Sequence, residues 1–242
     1  MNKIITSALV AAGLMTATSA YSNSFKGVAI GITGAGTGIT AEGQRTGGAT
    51  TNFSGAKAGA ITMVPSVDLS YTFALSPKMS LGLGVDYIPA KADITSGNFT
   101  KSDTTANTST SVSTTSSLNA EFKDHYTIYV QPTFVINKDS AFYGKIGYSQ
   151  AKVTLPATIV GSTNGAGDNV TETITDRNPD LKGMQYGLGL KTFLTNQAYV
   201  SIEASYNDYD TISTTTTGGD TTKRYSANLE AVQGRVTIGY QF

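Results

Sequence analysis

There is no cysteine among the 242 residues. That removes disulfides, thiolate metal sites and cysteine nucleophiles together. Neither charge is in excess, since 17 Lys+Arg stand against 17 Asp+Glu, and a nucleic-acid binder working through bulk charge is excluded. Only one histidine occurs, His125. Beyond the first 20 residues no long apolar run appears, so no helical membrane span is expected.

What is present begins with an N-terminus in three parts: Lys3 as the charge, Ile4 to Leu14 as the apolar core, and Ala17-Thr18-Ser19-Ala20 as a small-residue exit. This is the form of a cleavable signal peptide, residues 1–20, with cleavage after Ala20. Its apolar run is too short and too rich in Ala, Gly and Thr to span a bilayer well. Cleavage removes Lys3 and leaves residues 21–242 as one domain. The mean hydropathy of −0.09 suits a barrel whose strands give only alternate residues to lipid. A soluble β-protein shares that value.

Alternation decides the fold class. In the closing stretch, Val232, Val236, Ile238, Tyr240 and Phe242 share one parity, and Gln233, Arg235, Thr237 and Gln241 the other. Strict alternation over this length means a strand with one apolar and one polar face. The same pattern recurs at Phe25–Thr33, Val67–Phe73, Met79–Tyr87, Tyr126–Ile136, Phe142–Ser149, Met184–Lys191 and Ala198–Tyr206. The count is eight. Pro132 removes a ladder donor inside the fourth strand and is read as a bulge. The GAGTG segment, Gly34 to Gly38, lacks the Lys and the spacing of a phosphate loop.

Connections alternate as well. Tight turns follow strands two, four and six, at Leu75–Lys78, Asn137–Ser140 and Leu194–Gln197. Long polar segments near 34–62, 89–123, 153–181 and 207–225 follow the others, and Thr104–Ser117 is nearly all Ser, Thr, Asn and Ala. Short periplasmic turns and long extracellular loops are the asymmetry of an outer-membrane barrel. With the short turns periplasmic, outward Phe73, Phe134, Phe142, Tyr240 and Phe242 ring one end. Tyr87, Tyr126, Tyr148 and Tyr206 ring the other. Two aromatic girdles at the lipid interfaces are expected. The fold class is therefore all-β, an eight-stranded antiparallel up-and-down transmembrane β-barrel.

Inward parity falls to Asp68, Asp86 and Glu203 against Lys145, Lys191 and Arg235. So narrow a barrel holds little beyond its own side chains. Tyr129, Tyr143 and Tyr199 add bulk, and Gly82, Gly84, Gly147, Gly187 and Gly189 make room. The charges read as a structural network, with Glu203 and Arg235 at one height on adjacent strands and expected to pair. A gated polar path for small ions is the functional alternative. His125 reads as an interfacial or loop-packing residue, since Thr127 is the nearest inward hydroxyl and no carboxylate sits at a catalytic spacing. Asp168, Glu172, Asp176 and Asp180 lack EF-hand spacing and read as a solvated face. No catalytic, cofactor or metal site is assigned.

The signal, the alternating segments Met184–Leu194 and Ala198–Tyr206, and the Arg235–Phe242 terminus together resemble small eight-stranded outer-membrane barrels of the OmpA-like and opacity-protein-like kind. The likeness covers roughly Phe25 to Phe242 and is architectural. It implies a bacterial outer-membrane location, surrounding lipid and lipopolysaccharide, and a role in surface antigenicity, adhesion or membrane integrity through an unknown extracellular partner of the loops. It also implies that Tyr240 and Phe242 form the terminal signal read by the barrel-assembly machinery. With no peptidoglycan-binding domain after Phe242, wall anchoring is not expected. The leading expectation is a non-enzymatic barrel displaying polar loops. A narrow channel for ions or small solutes is second. A lipid-acyl hydrolase, by likeness to small outer-membrane enzymes acting on lipid A with a His and a Ser, is third.

Overall fold

A strand that separates two environments needs one face for each, and burial in Asp180–Phe193 alternates position by position. A computed structural model describes residues 25–46, 53–89, 92–95, 99–101, 114–116, 119–154, 158–163, 169–174, 180–218 and 221–242. The expected signal peptide lies outside them. Thirteen strands occur among the described residues: β1 (Gly27–Thr46), β2 (Phe53–Ser76), β3 (Met79–Ile88), β4 (Ala92–Thr95), β5 (Phe99–Lys101), β6 (Thr114–Ser116), β7 (Asn119–Val135), β8 (Ser140–Thr154), β9 (Thr158–Thr163), β10 (Asn169–Ile174), β11 (Asp180–Phe193), β12 (Ala198–Gly218) and β13 (Thr221–Gln241). Eight of them, β1, β2, β3, β7, β8, β11, β12 and β13, pair antiparallel in that order, and β13 returns to β1. The sheet has closed on itself.

Its tilt can be read from register. From Tyr71 the paired residues run Leu83, Val130, Ile146, Tyr186, Tyr206, Val232, Gly38 and back to β2 at Ile61. One circuit thus slips from position 71 to position 61, ten residues along the strand. Ten residues of rise against eight inter-strand spacings give a tilt of about 40°. That is the geometry of a narrow barrel filled by side chains.

Outward positions form an apolar band: Ile32, Leu69, Ile128, Ile146, Leu188, Ile202 and Val236 are all exposed. Phe134, Phe142, Tyr240 and Phe242 point outward at the end with the short turns, where Phe73 is half-buried beside Tyr71. Tyr87, Tyr148 and Tyr206 point outward at the other end. Half-buried Tyr126 shares that ring and donates to Gln150 Oε1 at 2.9 Å. Leu188 lies between the two rings. Replacing it with Arg should cost about 2–4 kcal/mol of stability in vesicles, because the charge enters mid-hydrocarbon. Asp208→Arg, beyond the tyrosine ring, should cost almost nothing. Urea titration of both variants in the same lipid checks the contrast.

Two expectations change. Pro132 is no bulge: pairing of β7 with β8 lapses between Val130 and Thr133 and resumes in the same register, while Pro132 stays opposite Leu81 of β3. The missing N–H simply leaves a gap in one ladder. More important, the segments expected as loops at 34–62 and 207–225 are largely strand, and those at 89–123 and 153–181 carry short strands among their described residues. β1 and β2 pair up to Arg45 and Phe53, β12 and β13 up to Gly218 and Thr221, and β9 and β10 form a hairpin. Backbone pairing does not require an apolar face, so Thr- and Gly-rich sequence can continue a hairpin. The stretch 102–113 lies outside the described residues.

Above the tyrosine ring the faces exchange polarity. Inward positions become apolar, with Ala151, Val153, Leu181 and Leu229 forming a buried cluster against Ile39 and Ile212. Outward positions become mostly polar: Lys152, Lys182, Asp208 and Glu230 are exposed, with Ile61 and Met63 of β2 as apolar exceptions. The cause is the surrounding medium. Where hydrocarbon gives way to water, the oily residues must move inside.

Candidate functional site

The inward face of the membrane-spanning half is built from charge. Asp68, Asp86, Lys145, Lys191, Glu203 and Arg235 are all buried, and strand parity carries each into the lumen. Arg235 of β13 and Glu203 of β12 are opposite in register, with Nε 3.8 Å from Oε1. The closer partners lie elsewhere. Arg235 Nη2 makes its tight ion pair with Asp86 Oδ2 of β3, three strands away across the bore. Ser66 joins them, donating to Asp86 Oδ2 at 3.0 Å and accepting from Arg235 at 3.3 Å. Glu203 takes Lys145 Nζ at 2.7 Å and the Tyr143 hydroxyl at 3.1 Å. Tyr129 donates to Asp68 Oδ2 at 2.6 Å, and Lys145 Nζ stands 4.4 Å from the centre of its ring.

Each contact spans the lumen because a strand beneath it carries a small residue. Lys145 on β8 meets Glu203 on β12 over Gly187 of β11, whose added Cβ would stand 3.2 Å from Glu203 Oε1. Three tyrosines lie on directly paired glycines: Tyr129 on Gly84, Tyr143 on Gly189 and Tyr199 on Gly239. A Cβ at any of these glycines would meet the ring at 2.3–2.4 Å. Ring and glycine share one volume.

Toward the end with the short turns Lys191 donates to Gln241 Oε1 at 2.9 Å and stands 3.8 Å over the Tyr199 ring. Phe25 and Phe193 stack edge to face at 5.0 Å beside it. Phe25, buried, and Phe193, also inward, extend the fill to the barrel floor. Their parity is the signal that marks them, though an inward Phe runs against the polar-lumen rule.

His125 is buried above the belt. Its Nε2 lies 3.2 Å from the Tyr209 hydroxyl, while Thr127 Oγ1 pairs with Ser149 Oγ at 2.7 Å. No nucleophilic hydroxyl other than a phenol meets the imidazole among the described residues. Asp168 and Asp176 lie outside the described residues, and no cluster able to hold a metal ion occurs among those described.

Comparison with known proteins follows from this geometry. The crystal structure of the outer membrane protein OprG from Pseudomonas aeruginosa aligns at 11% identity over 90% of this chain and 98% of that one, TM-score 0.50. The outer membrane protease OmpT from Escherichia coli aligns at 10% identity over 93% and 99%, TM-score 0.48. Ail, the attachment invasion locus protein of Yersinia pestis, solved with a heparin analogue, aligns at 10% over 83% and 98%, TM-score 0.36. At such identities the likeness concerns the fold alone. No curated protein matches the sequence. The family of the outer membrane protein beta-barrel domain matches residues 6–242. The chain belongs to that family, and its apolar band, aromatic rings and closed eight-strand sheet are those of a barrel of the bacterial outer membrane.

Proposed function

We propose that the protein is a non-enzymatic surface barrel, a closed pedestal that holds polar hairpin tips above the outer leaflet for an extracellular partner. The observation that supports it is the combination of a lumen crossed by paired charges and seated tyrosines with strands that continue beyond the tyrosine ring. A bore whose Lys145, Glu203, Arg235 and Asp86 are ion-paired and whose Asp68 and Lys191 are held by Tyr129 and Gln241 offers a passing ion few free partners and a dehydration cost. Lipopolysaccharide would meet the outward face, and Tyr240 and Phe242 would be the contact for the assembly machinery during insertion.

Refolded protein in a planar bilayer should be electrically silent at moderate voltage. Steady single-channel steps in the wild type would instead favour the channel reading. Shortening the β12–β13 and β1–β2 hairpins to the level of the tyrosine ring should leave a folded barrel. Binding of cells to a host or neighbour surface should fall about tenfold, the scale of losing a few contact residues. Unchanged adhesion in both deletions would remove the display role.

A further inference from the structure

Three lysines stand in a row on the outer wall, above the tyrosine ring. Lys123 of β7 is directly opposite Lys152 of β8, and Lys182 of β11 is opposite Gln150, two residues below Lys152. Lys152 and Lys182 are exposed and Lys123 is half-buried. Lys152 Nζ lies 3.2 Å from Asp124 Oδ2, an exposed pair of a kind that contributes little. Lys123 and Lys182 have no ion-pair partner among the described residues. The nearest carboxylates on their own strands, Glu121 and Asp180, lie two residues further from the membrane. On both flanks the ammonium is therefore the member that lipid meets first. Like charges directly opposite each other repel, and an anion between them would remove that cost.

Lys123 is on this wall because of an irregularity. His125 is buried inside and Tyr126 shares the outer ring, so plain alternation would turn residue 123 inward. Register shifts between Lys123 and Tyr126, where three residues of β7 pass two of β8 and Asp124 takes a φ of 53°. A left-handed φ is uncommon outside glycine and is tolerated by Asp. The extra residue sets Lys123 level with outward Lys152. Bulges re-aim side chains in this way.

Height matches the row to a headgroup. Lys152 is four residues up β8 from Tyr148, about 10 Å along the axis at a tilt near 40°. The lean of the sheet brings Lys123 and Lys182 within about 3 Å of that level. The headgroup layer adds roughly 5–7 Å beyond the hydrocarbon, and lysine stems reach back into it. Directly beneath, Ile128 and Ile146 are exposed to the acyl layer. The next arc of the wall has the opposite sign, since Asp208 of β12 and Glu230 of β13 are opposite each other and exposed. An anion is drawn to one arc and turned away from the other.

We infer that the row binds a phosphate group of an outer-leaflet lipid, seated over Gln150 between Lys123 and Lys182, with the lipid's tails against Ile128 and Ile146. The apolar band continuing below the lysines is what favours a lipid-borne phosphate over a dissolved one. The inference needs the outer-membrane setting and does not depend on the display role of the hairpin tips.

The test is native mass spectrometry of the refolded full chain in a neutral detergent. It is titrated with diphosphorylated lipid A and, separately, with the same lipid stripped of phosphate. The phosphorylated form should be retained at least tenfold better. Lys123→Gln and Lys182→Gln should each weaken that retention about fivefold, the scale of one basic side chain at an anionic surface. Asp208→Asn, on the acidic arc, should not weaken it. Chelation of divalent cations should leave it unchanged, because the contact is made by ammonium groups directly. Each variant is scored only as the heat-modifiable species of a folded barrel, and all three positions lie on the outer wall, where such changes spare the fold. Equal retention of the two lipids, loss on chelation, or indifference to both lysine variants would overturn the inference. So would equal competition by the phosphorylated diglucosamine without acyl chains, which would assign the row to a soluble glycan.

Discussion

Replacing Arg235 with Leu should lower the melting temperature of the refolded barrel by on the order of 10 °C, the largest effect of any single lumen substitution. The guanidinium reaches Asp86 across the bore, Glu203 beside it and the Ser66 hydroxyl between. Removing it leaves Asp86 with Ser66 as its remaining contact among the described residues, fully buried. Breaking a buried pair by deleting one partner costs about 3–5 kcal/mol, because the survivor stays desolvated and uncompensated. A change of that size shifts the melting of a chain this long by roughly 2–4 °C per kcal/mol. Asp86→Leu combined with Arg235→Leu should recover much of the loss, since an apolar pair of similar volume has no charge to leave stranded. Glu203 keeps Lys145 at 2.7 Å in that background. The decisive measurement is the double-mutant cycle by circular dichroism in detergent. A single Arg235→Leu variant that melts with the wild type would mean the belt contributes nothing.

The second large effect concerns Gly239. All three of the nearest atoms to an added Cβ there belong to Tyr199, at 2.3–2.6 Å. Even Gly239→Ala therefore forces the ring from its seat, and with it the Lys191 contact above it and the Phe193 edge at 6.0 Å. Overpacking of this kind costs about 1–3 kcal/mol. In the strand that closes the barrel the expected outcome is a sharp drop in refolding yield, read as the fraction showing heat-modifiable migration. Tyr199→Ala in the same chain should restore the yield, because the obstacle is that one side chain. If the second substitution brings no recovery, the seat is not the reason for glycine at this position.

The barrel was legible in the sequence because lipid imposes a strict period of two, and Met184–Lys191 or Ala198–Tyr206 obey it without exception. The inward parity of Asp86 and Arg235 follows from the same rule. Which inward charges meet does not, because closure brings β3 and β13 face to face across a space no linear pattern describes. Sequence height places Glu203 beside Arg235, and register agrees. The tightest contacts nevertheless join residues of strands that are not adjacent. The upper barrel was hidden for a different reason. Leu181 with Lys182, and Leu229 with Glu230, keep the alternation but with the faces exchanged, and the surrounding Thr and Gly dilute it to the look of a loop.

The exchange of faces also acts as a depth gauge. Were the molecule to settle further into the bilayer, Lys152, Lys182 and Glu230 would enter oil; were it to rise, Ile146 and Val236 would meet water. Both displacements are opposed by the same residues that hold the wall upright. The waterline is thus written into the chain, and a bilayer of the wrong thickness must bend to the protein. Anything that grips the hairpin tips is held at a constant standoff from the cell.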